Sequence, residues 1–221
     1  MPPPDDSPCL ARHAFVWLAK SWQRQLQTPL PQAYRARIES WRAAGYPFVV
    51  ARGEPADGEA IVRLGLALPD KTRLGFGVTP TAVIGMRPPP TLDEVMPAAL
   101  PAWTETLRRV DAIARHHRVT VAVYGSLAWQ ALTGFAYLRS ASDVDLLLTA
   151  TRWGDLMDTA SALAVLDGPP RLDGEALLTD GAAVTWRELA AAPPRLLVKG
   201  RSSIRLVRYD DVRAQFMARA A

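Results

Sequence analysis

Residues 119–149, VTVAVYGSLAWQALTGFAYLRSASDVDLLLT, constrain the fold more tightly than any other stretch of the chain. Val119 to Tyr124 is an apolar, β-branched run of strand length. Gly125-Ser126 breaks it, Leu127 to Leu132 resumes at helical spacing, and Gly134 stands where a helix would stop. After a short connection, Asp143-Val-Asp145-Leu-Leu-Leu opens a second buried strand with two acids at its start. On a strand, residues two apart point to the same face, so the two carboxylates stand side by side.

Two adjacent like charges repel, and an apolar strand is a poor place for them without a compensating cation. Mg²⁺ suits such a pair, because it takes oxygen ligands and leaves positions open for water and substrate phosphates. Gly125 and Ser126 lie at the mouth of the intervening helix, where a hydroxyl and free backbone N–H groups can hold a phosphate oxygen. Alone, a Gly-Ser pair usually caps a helix and an Asp-x-Asp is usually a solvated turn. In the order strand, Gly-Ser, helix, Asp-x-Asp, with apolar flanks, they read together as a phosphoryl- or nucleotidyl-transfer site. Asp143 and Asp145 are its expected metal ligands and catalytic acids, Gly125 and Ser126 its phosphate cradle.

With 221 residues the chain is long enough for one large domain or two small ones. Its net charge of +4 rests on arginine, since Lys20, Lys71 and Lys199 are the only lysines. That balance suits polyphosphate substrates or an acidic protein partner, and is too mild and scattered to argue for nucleic acid. A single cysteine, Cys9, excludes an internal disulfide and suits a reducing compartment. The N-terminus lacks a signal-peptide pattern and no apolar run is long enough to span a membrane, so a cytoplasmic protein is expected.

Residues 1–9, rich in proline and aspartate, read as a loose tail. Trp17 and Trp22 read as core or interface aromatics. Thr28 to Ala44 reads as an amphipathic helix ending near Gly45, and the segments 47–52 and 61–68 as strands. Lys71 and Arg73 follow as exposed basic residues that could reach a substrate phosphate. Arg87-Pro-Pro-Pro90 is a stiff break that neither a helix nor a central strand can cross. It divides a small N-terminal α+β domain, residues 1–90, from a transferase domain, residues 91–221. Beyond it, Thr91 to Glu94 forms a capping box, and 103–117 and 152–166 read as helices. Arg171 to Leu178 reads as an edge-like strand with two acids, Asp173 and Glu175, at period two. Thr179 to Gly181 is a hairpin turn with 184–189 returning. Segments 196–201 and 203–208 form a basic hairpin carrying Lys199, and the chain from Asp210 on is a short helix. An ammonium at Lys199 could neutralise a triphosphate.

The order Gly-Ser, helix, Asp-x-Asp on a strand is similar to the nucleotidyltransferase fold of DNA polymerase beta and the aminoglycoside nucleotidyltransferases. More narrowly, VYGSLAWQALTG followed by YL and SDVDLLL resembles the malonate decarboxylase holo-acyl-carrier-protein synthases, or phosphoribosyl-dephospho-CoA transferases, along most of the chain. That resemblance implies a polymerase-beta-type α+β fold with a mixed sheet. It implies a third carboxylate on the strand beside Asp-x-Asp, Asp173 or Glu175 with Glu175 slightly favoured, and a lysine and arginine at the places of Lys71 and Arg73. It further implies a donor, 2′-(5″-triphosphoribosyl)-3′-dephospho-CoA, and an acceptor, a serine on the apo acyl carrier subunit of malonate decarboxylase, with diphosphate released. Two other readings stay open: a nucleotidyltransferase that uses an ordinary NTP on a small molecule or protein, and a non-catalytic nucleotide- or RNA-binding module.

Overall fold

The computed structural model describes residues 10–58 and 60–220. The tail at 1–9, with Cys9, lies outside the described residues. The described chain divides into two compact units. One holds the residues up to Leu66 with Arg73–Pro88, the other Ala67–Thr72 with the residues from Pro89 on.

The first unit is a five-stranded sheet with one α-helix. Its elements are β1 (Phe15–Leu18), α1 (Gln32–Ala43), β2 (Phe48–Val50), β3 (Val62–Ala67), β4 (Arg73–Val78) and β5 (Val83–Arg87), and the sheet order is β4-β3-β2-β1-β5. Alternation builds it: Val62, Leu64 and Leu66 are buried while the residues between them are half-buried. Helix α1 starts at Gln32 rather than Thr28, because Pro31 occupies its N-cap. Ile38 and Trp41 turn its apolar stripe inward, and the fully buried Trp22 donates its indole N–H to Glu39 at 2.7 Å.

In the second unit the chain runs α2 (Leu92–Val95), α3 (Thr104–His116), β6 (Thr120–Tyr124), α4 (Gly125–Thr133), β7 (Val144–Thr149), α5 (Trp153–Ala164), β8 (Leu172–Leu177), β9 (Ala183–Thr185), α6 (Trp186–Ala191), β10 (Arg195–Lys199), β11 (Ile204–Arg208) and α7 (Tyr209–Ala220). The capping box at α2 forms: Glu94 N–H donates to the Thr91 hydroxyl at 3.4 Å, and Thr91 N–H donates to the Glu94 carboxylate at 2.8 Å. The six strands are ordered β11-β10-β9-β8-β7-β6. β7 and β8 run parallel and the other neighbours antiparallel, so the sheet is mixed and the architecture α+β.

One face of this sheet is apolar. Val121, Val123, Val144, Leu146, Leu148, Leu172, Ala176, Val184, Leu196 and Val198 join a single core with side chains of α3, α5, α6 and α7. Each fully buried aliphatic side chain there contributes about 1.5–3 kcal/mol. By alternation, the opposite face carries Tyr124, Asp143, Asp145, Leu147, Asp173, Glu175 and Lys199.

Two expectations need correction. The Arg171–Leu178 segment is not an edge: β8 lies between β7 and β9. Its acids gave it an edge-like look, yet they occupy the face turned away from the core, and Glu175 is neutralised by an ion pair with Lys199. The stretch from Val184 to Leu189 does not return as a strand throughout. Pairing ends at Thr185 and α6 begins at Trp186, whose side chain and that of Leu189, three apart, are both buried. Among the described residues no helix is long and apolar enough to cross a membrane.

Candidate active site

The β6–α4 junction and the start of β7 meet at one point. Tyr124 is the register partner of Asp145. The next residue, Gly125, has φ +69°, the left-handed region that glycine enters without penalty. Space makes the same demand. A Cβ on Gly125 would overlap the Asp145 carboxylate, falling on Oδ2 and 3.0 Å from Cγ. The carboxylate therefore rests directly over the first turn of α4. The N-cap, Tyr124, makes no side-chain capping bond. Ser126, half-buried, is the second residue of that turn.

Asp143 precedes β7 by one residue, and Asp143 and Asp145 flank the fully buried Val144. Both are half-buried and share the face away from the core. On the parallel neighbour β8, Asp173 is the register partner of Asp145, whereas Glu175 pairs with Leu147 one row further along. Tyr124, Asp145 and Asp173 thus form a single row across three strands. Gly174 lets the strands close up behind that row: with φ +132°, a side chain there would run into the backbone carbonyl of Leu146.

Lys199 does reach this face. Its Nζ donates to Glu175 Oε1 at 2.9 Å, and the Glu175 side chain is only 5% exposed. Burial of that carboxylate is tolerable because the ammonium accompanies it. Lys71, φ +68°, stands in the exposed turn between β3 and β4 and groups with the second unit, while Arg73 opens β4 and groups with the first. Among the described residues no hydrogen bond or ion pair joins Lys71 to the carboxylate row.

Sequence reading missed two arginines. Arg171 lies 3.7 Å from Asp143 and 3.4 Å from Asp173, bridging the two acids from a largely exposed position. Arg187 donates from Nε to the Leu172 carbonyl at 2.8 Å, at the start of β8, and its guanidinium lies over the Trp186 ring at 4.6 Å. Arg171 had a signal, since it precedes Asp173 by two residues and so shares its face. Arg187 had none, because the turn into α6 was read as strand. Gln130 supports the site from behind. Its side-chain carbonyl accepts the N–H groups of Tyr137 and Leu138 at 2.9 and 3.1 Å, and its amide donates to Ala98 at 2.7 Å, fixing the loop that leads to Asp143.

The donor set on this row is all oxygen, which fits a hard divalent cation. Among the described residues no three such side chains are already drawn into a cluster that could hold a metal. Arg171 supplies positive charge between two of them instead.

A family model described as the phosphoribosyl-dephospho-CoA transferase MdcG C-terminal domain matches residues 91–210, and one described as the N-terminal domain matches residues 11–89. Among curated proteins, the phosphoribosyl-dephospho-CoA transferase of Xanthomonas euvesicatoria pv. vesicatoria is 40% identical over 205 residues, covering 89% of this chain and 93% of the relative. The protein of that name from Bradyrhizobium diazoefficiens is 35% identical over 215 residues, covering 95% of this chain and 93% of the relative. The one from Pseudomonas aeruginosa is 34% identical over 176 residues, covering 77% and 82%. No solved structure matches.

Proposed function

Because the chain belongs to the phosphoribosyl-dephospho-CoA transferase family, we propose that this transferase acts on a serine of the apo acyl carrier subunit of malonate decarboxylase. The donor in this reading is 2′-(5″-triphosphoribosyl)-3′-dephospho-CoA. The serine oxygen forms a new bond to the α-phosphorus, the bond from that phosphorus to the β-phosphate bridging oxygen breaks, and diphosphate leaves. The serine proton passes to a carboxylate oxygen of the Asp145–Asp173 row. The second unit is read as a nucleotidyltransferase-type domain.

The observation that carries the reading is the Asp145 carboxylate seated over Gly125, at the first turn of α4, with Asp173 beside it in register. Backbone N–H groups at the start of α4 and the Ser126 hydroxyl bind the donor's phosphate oxygens, with the helix dipole favouring negative charge there. Lys199, tethered by Glu175 on the same face, offsets charge on the outer phosphates. Asp143, Asp145 and Asp173 would hold Mg²⁺, which when bound lowers the pKa of the attacking hydroxyl and offsets charge on the leaving diphosphate. Asp173 is preferred to Glu175 as the third acid, because Glu175 already serves Lys199. Holding the hydroxyl and phosphorus in line supplies most of the remaining rate.

The test is intact-mass measurement of the apo carrier subunit after incubation with donor, Mg²⁺ and enzyme. The carrier gains the mass of the prosthetic group with wild type and not with Asp145→Asn. An unmodified carrier, or an Asp145→Asn variant as active as wild type, defeats the proposal. Diphosphate release from an ordinary NTP instead would turn the reading toward a general nucleotidyltransferase.

A further inference from the structure

Among the described residues the hairpin of β10 and β11 ends the sheet, with β11 its outermost strand. Residues 195–208, RLLVKGRSSIRLVR, contain five cations and no acid, which exceeds the net charge of the whole chain, +4. Arg195 and Arg208 are register partners, two exposed guanidinium groups side by side on one face. Like charges so placed destabilise a strand pair. Neither forms an ion pair among the described residues, and the acid nearest in sequence, Asp210, only lines the same hollow of about 460 Å³ as Pro193, Pro194 and Tyr209. On the same face, in the next rows, stand Leu197, Ile204 and Leu206, 38%, 47% and 58% exposed. An aliphatic patch of that kind framed by unneutralised arginines has no role in this chain's own packing.

Its position follows from the ladder. Glu175 pairs with Thr185, and Leu177 with Ala183, which pairs in turn with Lys199. The ladder thus puts Lys199 on the Leu177 row, and β10 runs on past the last β9 pair to Leu197, whose N–H donates to the Glu188 carboxylate at 3.2 Å, and to Arg195. Two strand spacings, about 10 Å, separate β8 from β10. Leu196 and Val198 point into the core, so Arg195, Leu197 and Lys199 share the face that carries the carboxylates.

We propose that this β10–β11 face docks the acceptor: an acidic protein domain whose apolar side chains cover Leu197, Ile204 and Leu206 and whose carboxylates meet Arg195 and Arg208. The proposal rests on the reading of the acceptor given above and names the surface that receives it. A second copy of this chain is the wrong occupant, because two-fold pairing would set one group of unneutralised cations against another. An acidic domain relieves the repulsion, and docking there brings its serine within a short reach of Asp145.

The experiment uses the full chain and the apo carrier subunit as probe, measuring binding by titration calorimetry and transfer by steady-state kinetics with the carrier varied. In Arg195→Glu/Arg208→Glu, and separately in Leu206→Ser, the KM and Kd for the carrier are expected to rise by about tenfold or more, since arginine and apolar anchors dominate interfaces. The KM for the donor and kcat at saturating carrier stay at the wild-type values. Raising NaCl from about 50 to 300 mM weakens carrier binding in wild type and does so much less in the double variant. A carrier modified with unchanged KM by both variants overturns this surface and leaves the transferase reading intact. A carrier that binds through the patch without being modified sinks that reading and not the surface. A wild type that neither binds nor modifies the carrier sinks both. If the variants shift the oligomeric state in light scattering while carrier binding is unmoved, the patch belongs to a second copy and the proposal is wrong.

Discussion

Replacing Gly125 with alanine separates two demands made at one residue. The first is conformational: at φ +69° an L-residue pays about 1–2 kcal/mol that glycine does not. The second is spatial. The new methyl would lie 3.0 Å from Cγ of Asp145 and overlap Oδ2, where ordinary carbon contacts begin near about 3.5 Å. The carboxylate must then move by on the order of 1 Å, and a displacement of that size at reacting groups costs about a hundredfold in rate. Gly134 provides the control. It closes α4 with φ +74°, and nothing lies within 4 Å of where its Cβ would be. Gly134→Ala should therefore pay the backbone cost alone.

Thermal melts followed by circular dichroism should show a loss of about 2–8 °C for Gly134→Ala and a larger one for Gly125→Ala, which also carries the clash with Asp145. Transfer activity should fall about a hundredfold in Gly125→Ala and stay within about twofold in Gly134→Ala. If Gly125→Ala transfers within about threefold of wild type, the placement of Asp145 over the helix start has no bearing on the chemistry, and the argument built on it fails.

Further outcomes follow from other pairs. Lys199→Met strands the nearly buried Glu175 carboxylate and should lower stability in urea titration by about 3 kcal/mol. Glu175→Gln, which leaves behind only a partly exposed ammonium, should lower it by less, and the double variant should recover much of the loss. Asp173→Asn should abolish transfer while Glu175→Gln retains a measurable fraction; the reverse order, read from carrier mass, would return the third carboxylate to Glu175. In the first unit, Arg63 donates to both oxygens of Asp57 at 2.9 and 2.8 Å and holds that carboxyl below its usual pKa, helped by the Glu54 N–H. The unfolded chain binds the Asp57 proton at higher pH than the folded one. The stabilisation is therefore full above the ordinary carboxylate value and is lost as pH falls through the depressed one. Acid unfolding of Asp57→Asn should show a flatter low-pH limb than wild type.

Much of the fold could be read from the chain because local signals agreed with the tertiary result. The capping box at Thr91, the helical stripe of Leu107, Val110 and Ala114, and the glycine stop at Gly134 each carry their own cause. The misses share a different physics. β5, VIGMR, shows no run of buried residues because Ile84 and Met86 stay exposed, and only pairing with β1 makes it a strand. β8 looked like an edge because its acids mark a face, not a border, and burial of a strand's edges cannot be read from its own alternation. The turn of the chain into helix at Trp186 was decided by the core that takes up that ring and Leu189.

At the candidate site, spacing alone could say that Asp143 and Asp145 share a face, because strand parity is local. It could not say which acid on the next strand stands beside them. Asp173 and Glu175 have the same parity, so only inter-strand register distinguishes them, and register is set by the whole sheet. The same ladder reveals that Lys199 lies opposite Ala183 at one end of β10, while Arg195, four residues away on the same face, stands at the other end, opposite Arg208. One sheet face thus carries, in sequence-distant pieces, an acid row over a helix start, a tethered ammonium and an arginine-framed apolar edge. A point charge, a phosphate cradle and a docking surface need different neighbours, and the register keeps them about two strands apart on one plane. The register itself is therefore testable: charge reversal at Arg195 should raise the carrier's KM, charge loss at Lys199 the donor's, and a variant that moved both together would show that the two sites are not separate.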